Sequence, residues 1–100
     1  MSQKHFVLAS CYDKRGRLLS KRANSYTRTH PLQAAYAKRV GQPARQFLHA
    51  ELNALLAART PVYHIHVERY NSKGEPVTAK PCKICQLAIE EWGVKRVTHT

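Results

Sequence analysis

Short apolar blocks run along this chain, each closed by proline, glycine or a polar cluster. "HFVLASCY" (5–12) has the length of a strand, and "DKRG" (13–16) after it reads as a hairpin turn in which Gly16 supplies the unusual backbone angle. "RLLSKRANS" (17–25) predicts the returning strand, weakly patterned and near a sheet edge. "HPLQAAYAKRV" (30–40) has a proline near its start and Gly41 after its end, the punctuation of a short helix. "PARQFLHAELNALLAAR" (43–59) opens on proline and is rich in Ala and Leu, which predicts a second helix. "VYHIHVERY" (62–70) alternates, with Tyr63, Ile65 and Val67 on one face and His64 and His66 on the other, so it reads as a strand. "NSKGEP" (71–76) is a loop, "PCKICQLAIEEWG" (81–93) a helix stopped by Gly93, and "VKRVTHT" (94–100) a last short strand. The order β-β-α-α-β-α-β predicts an α/β fold with a mixed sheet of about four strands: a hairpin first, then a parallel pair across a helix.

Composition narrows the class. One hundred residues, 43% apolar and 23% charged, fit a single globular domain over 1–100 with a modest core, to which a bound metal would add stability. No apolar run approaches a membrane span, and the apolar stretch in "MSQKHFVLAS" is short for a signal peptide, so a soluble, cytoplasmic protein with no membrane partner is expected. Three cysteines in such a setting argue against a disulfide framework. The formal charge of +11, from 17 Lys plus Arg against 6 Asp plus Glu, favours anionic ligands, whether nucleotides, polynucleotides or acidic partners.

The chemistry concentrates in "PCKIC" (81–85). Cys82 and Cys85 at i and i+3 on a first helical turn point the same way, and a helix N-terminus favours thiolates. They suit a redox pair, a structural zinc or a catalytic zinc. Two thiolates need a third ligand to hold zinc, and His49 in "FLHAEL" is the candidate. His49 and Glu51, two residues apart, cannot both point squarely inward from a regular helix, but a site between two helix ends could use both. Three protein ligands would leave a fourth position open, as in catalytic zinc sites.

"HAE" (49–51) followed about thirty residues later by "PCKIC" resembles the zinc signature of the cytidine deaminase superfamily, H-x-E then P-C-x-x-C. The element order matches over nearly the whole chain. The resemblance implies a cytidine deaminase-like three-layer α-β-α sandwich in a minimal version, without the fifth strand that family members carry. A neighbouring subunit would cover the edge so left, and a homo-oligomer is expected. His49, Cys82 and Cys85 would bind Zn2+, and Glu51 would carry a proton from the attacking water to a ring nitrogen and the leaving amine. Asn24 in "RANSY" would hydrogen-bond the sugar or base, and the backbone N–H of Ala50 the base carbonyl. The implied function is zinc-dependent hydrolytic deamination of cytosine in a nucleoside or nucleotide substrate, to uracil and ammonia. Alternatives are a deaminase of cytosine or adenine in single-stranded nucleic acid, and a nucleic-acid-binding module with a structural zinc. Histidine in "HAE", where close cytidine deaminases usually have cysteine, brings the chain nearer deoxycytidylate, tRNA adenosine, guanine and polynucleotide cytidine deaminases.

The remaining candidates have plainer readings. Cys11 reads as a core residue, His64 and His66 as hydrogen-bonded histidines rather than a second metal site, and Trp92 as packing for the last helix. Tyr26, His30 and Tyr36 read as packing residues before base-stacking ones. Cations near the expected pocket, such as Lys80, Lys83, Arg28 and Arg45, could meet a phosphate.

Overall fold

The computed structural model describes residues 6–25, 28–42 and 48–100. Tyr26, Arg45 and the start of the predicted 43–59 helix lie outside them. The elements are β1 (Phe6–Tyr12), β2 (Leu18–Ala23), α1 (Pro31–Arg39), α2 (Ala50–Ala57), β3 (His64–Tyr70), β4 (Pro76–Val77), α3 (Lys83–Glu91) and β5 (Arg96–His99).

The β1–β2 hairpin is closed by Asp13, whose carboxylate accepts from the backbone N–H of Arg15 and of Arg17, both at 2.9 Å, while Gly16 takes φ 80°. β1 lies antiparallel to β2 on one side and to β3 on the other, with Ala9 opposite Val67 and Cys11 opposite Ile65. β5 joins the far side of β3 in parallel, so the sheet is mixed, and the β3–α3–β5 unit is the predicted parallel pair. β4 takes up the remainder of that same side of β3, pairing Arg69 with Val77 and Tyr70 with Pro76. The sheet thus has five strands rather than about four. β4 was hidden in the sequence because Pro76, which cannot donate to a ladder, reads as loop.

Alternation along the strands decides where the core sits. Ala9, Cys11, Ile65 and Val67 share one face and are essentially inaccessible to solvent. α2 packs on that face over β1 and β2, burying Leu52, Ala54 and Leu55, and α3 packs against both α2 and α1. Burial of a side chain the size of Leu52 stabilises by about 1.5–3 kcal/mol. Two polar bonds fix the height of α2 on the sheet: the Ser20 hydroxyl donates to the Ala54 carbonyl at 2.7 Å, and the Asn53 amide to the Ala23 carbonyl at 3.0 Å. α3 ends at Gly93, φ 73°, where the N–H of Gly93 returns to Glu90 and that of Val94 to Ile89, a glycine-closed C-terminus. Trp92 is partly buried against the same core.

The other face carries Phe6, Leu8, Ser10 and Tyr12 of β1 beside Tyr70, Glu68, His66 and His64 of β3, and no helix among the described residues lies over it. Phe6 is 50% exposed there. The three-layer sandwich implied by the resemblance is not confirmed: the structure is an α/β fold with a five-stranded open sheet, in which α2 packs on β1 and β2 and α3 packs against both α2 and α1. No helix is long and apolar enough to cross a membrane.

Candidate metal centre

Two helix N-termini, those of α2 and α3, converge on one point. His49 is not inside α2 but precedes it as the N-cap, in extended conformation at φ −75°, ψ 155°. The difference from the predicted 43–59 helix matters for chemistry. A regular helix would splay His49 and Glu51 apart, whereas an extended His49 followed by a helical Glu51 turns both toward one point. Cys82 plays the same part for α3, as an extended N-cap at ψ 171°, with Cys85 one turn inside. Both helices also aim the positive ends of their dipoles at this point.

Neighbours hold His49 in place. Its N–H donates to the buried Gln33 side chain at 3.3 Å, and Leu48 before it exchanges backbone bonds with Ser25 and Arg28. Sequence reasoning missed Gln33; its signal was a place on the buried stripe of α1 with Tyr36 and Ala37.

His49 Nδ1 lies 3.3 Å from Cys85 Sγ and 3.5 Å from Cys82 Sγ. The three ligand atoms all fall within 4.8 Å of one another, close enough to bind one metal ion. Metal–sulfur and metal–nitrogen bonds of zinc length give a tetrahedral N···S edge of about 3.5 Å, so these donors fit. Cys82 is held as a thiolate, its pKa lowered to about 4, first by the hydrogen bond from Cys85 and then by His49. Cys85 is pushed well up by that same bond and by burial, which leaves one proton for a metal to displace.

Glu51 is 6% exposed beside the sulfurs. Burial raises its pKa most, and the charge on Cys82 adds to that, against opposing hydrogen bonds from its own backbone and Cys85. A carboxyl whose proton affinity is raised in this way is suited to take up a proton and give it back.

A cavity of about 480 Å³ is lined by His49, Ala50, Glu51 and Cys82 among others, a size suited to a small ligand. Asn24 lines its wall, and its side-chain oxygen also accepts from the Val7 N–H at 3.1 Å, which extends the hairpin by one rung. Ala50 offers the first amide of α2, one of those a helix does not bond internally.

Other candidates lie elsewhere. Cys11 is a buried thiol raised to about 11 by desolvation. His64 Nε2 and His66 Nδ1 each meet the Thr98 hydroxyl at 2.7 Å on the open sheet face, so neither completes the centre. His30 caps α1, accepting from Leu32 N–H at 3.1 Å, and Tyr36 donates to Glu91 at 2.7 Å. Lys83 and Arg28 are exposed, and Lys80 is on the cavity rim. No protein-family model matches the chain, and no curated protein matches it.

Proposed function

We propose that the protein is a zinc-dependent hydrolytic deaminase acting on cytosine in a nucleoside or nucleotide. The reading rests on one observation: an imidazole nitrogen within 3.3 and 3.5 Å of two sulfurs at facing helix ends, with a buried carboxyl beside them and a cavity lined by His49, Glu51 and Cys82. Bound by His49, Cys82 and Cys85, zinc would supply a water acidic enough to ionise near neutral pH. Glu51 takes one proton from the attacking water and delivers it to ring nitrogen N3; it then relays the second proton, from the hydroxyl now on C4, to the amine, so that the C4–N bond breaks, ammonia leaves and the uracil carbonyl forms. The Ala50 N–H orients the base carbonyl, and Asn24 the sugar or base. Walls built by Val7 and Val67 exclude bulk water from one side of the ring.

The rival reading of a structural zinc in a nucleic-acid-binding module needs a fourth protein ligand, and the described residues bring three together. The lowered pKa of Cys82 would also suit a thiol redox pair, but that use gives no part to His49 or to the buried Glu51. The test is ammonia release from the zinc-loaded protein over cytosine, adenine and guanine nucleosides, nucleotides and short single strands. Turnover on a cytosine compound is expected. Glu51→Gln should retain zinc and lose about 10²–10⁴ of the rate. Full turnover in that variant would remove Glu51 from the chemistry.

A further inference from the structure

Arg69 stands where an apolar residue is expected. Strand alternation places it on the same face of β3 as Ile65 and Val67, with Val7 opposite on β1 and Val77 opposite on β4. Its backbone is pinned from both sides, since its N–H also donates to the Thr100 hydroxyl at 3.1 Å. The residue is half-buried in the wall of the cavity that opens onto the metal centre, and Lys80 reaches the same rim.

A guanidinium that lines a cavity and has no ion-pair partner is open to an anionic ligand. The chain has 6 acidic residues, all described, and none pairs with Arg69. Asp13 pairs with Arg17, and Glu91 with Arg39 and Tyr36. Glu68 accepts from the Tyr70 hydroxyl and Glu75 from Asn71. Glu90 is exposed on α3, and Glu51 is buried beside the sulfurs. Among the described residues no ion pair reaches Arg69 or Lys80.

We infer that Arg69 and Lys80 form a phosphate subsite at the mouth of the cavity, so that the preferred substrate is a nucleoside monophosphate rather than a nucleoside. The subsite stands on charge and position alone; its assignment to a nucleotide substrate rests on the deaminase reading above. Two cations that no carboxylate pairs among the described residues match a phosphate monoester, which carries close to two charges at neutral pH, better than a singly charged phosphodiester. Arginine supplies the planar fork that binds two phosphate oxygens at once, and lysine a mobile point charge.

Calorimetry on the zinc-loaded Glu51→Gln chain, which does not consume its ligand, tests this with four probes: cytidine, cytidine 5′-monophosphate, ribose 5-phosphate and a short single strand lacking terminal phosphates. The monophosphate should bind about ten- to a hundredfold more tightly than cytidine. Arg69→Gln should remove most of that advantage and Lys80→Ala a smaller share, with zinc content unchanged in both. Lys80 is exposed, so its variant informs even if Arg69→Gln folds poorly. Ribose 5-phosphate binding that requires Arg69, without any gain from the base, would uphold the subsite and sink the deaminase reading. An advantage that survives both variants, equal affinity for cytidine and its monophosphate, or tighter binding of the single strand than of the monophosphate would overturn the inference.

Discussion

His49 at the start of α2 and the pair His64 and His66 on β3 stand in different surroundings, and only His49 lies with two sulfurs close enough to bind a metal ion. His49 leaves an extended N-cap, meets two sulfurs at 3.3 and 3.5 Å, and is braced by a buried glutamine. His64 and His66 rise side by side from β3, share the Thr98 hydroxyl, and stand on a face that no described helix covers. Tyr12 stacks on His64 with ring centroids 5.3 Å apart. Residue type is the same in both places; the surroundings differ. Helix ends and two sulfurs make the first a candidate ligand set, whereas the second, equally part-buried, shares a hydroxyl instead.

The sharpest way to break this contrast is to remove a histidine from each place. His49→Ala should abolish stoichiometric zinc binding. Holding free metal at a hundred times its dissociation constant stabilises a folded protein by about 2.7 kcal/mol, so the variant should melt about 10–20 °C below the zinc-loaded parent. A calorimetric scan with and without chelator measures this, and a chelator-insensitive parent would refute it. His66→Ala should leave zinc content and turnover intact and shift stability by about 0.5–1.5 kcal/mol, the range of one hydrogen bond. Loss of zinc in His66→Ala would place the second group in the metal centre after all.

A finer effect concerns pH. Burial lowers the pKa of His64 below its ordinary 6.5, with Arg96 and His66 adding repulsion. The folded state therefore binds fewer protons there than the unfolded chain. The stability it contributes is complete above the ordinary value and is lost as pH falls from there through the lowered one. His64→Gln should flatten that part of the stability–pH curve, and an unchanged slope would show that another group titrates there.

Much of this arrangement was legible in the chain itself. Proline and glycine punctuation marked α1 and α3, because a missing N–H and a positive φ act locally. Period-two alternation separated Ile65 and Val67 from His64 and His66 for the same reason. "HAE" and "PCKIC" named the three donors and Glu51. What the residues alone could not give depends on distant partners. The residue that starts α2 is set by Gln33 and Arg28 holding the segment before it, not by the Ala and Leu that favour a longer helix. β4 exists because β3 offers it an edge beyond the end of β5. The third layer was expected from resemblance, and the packing of α2 on the sheet and of α3 against α2 and α1 does not confirm it. Arg69 carried a signal that went unread: it continues the buried face of β3 two residues past Val67.

The central claim is an open centre of one imidazole and two thiolates with a position left for water beside Glu51. X-ray absorption at the zinc edge of the metal-loaded protein tests it most directly. The account predicts two sulfurs at about 2.3 Å and two lighter atoms at about 2.0–2.1 Å, with outer-shell scattering from a single imidazole. Scattering from two imidazoles, a third sulfur in the first shell, or a protein that takes up no zinc and closes a Cys82–Cys85 disulfide would contradict it.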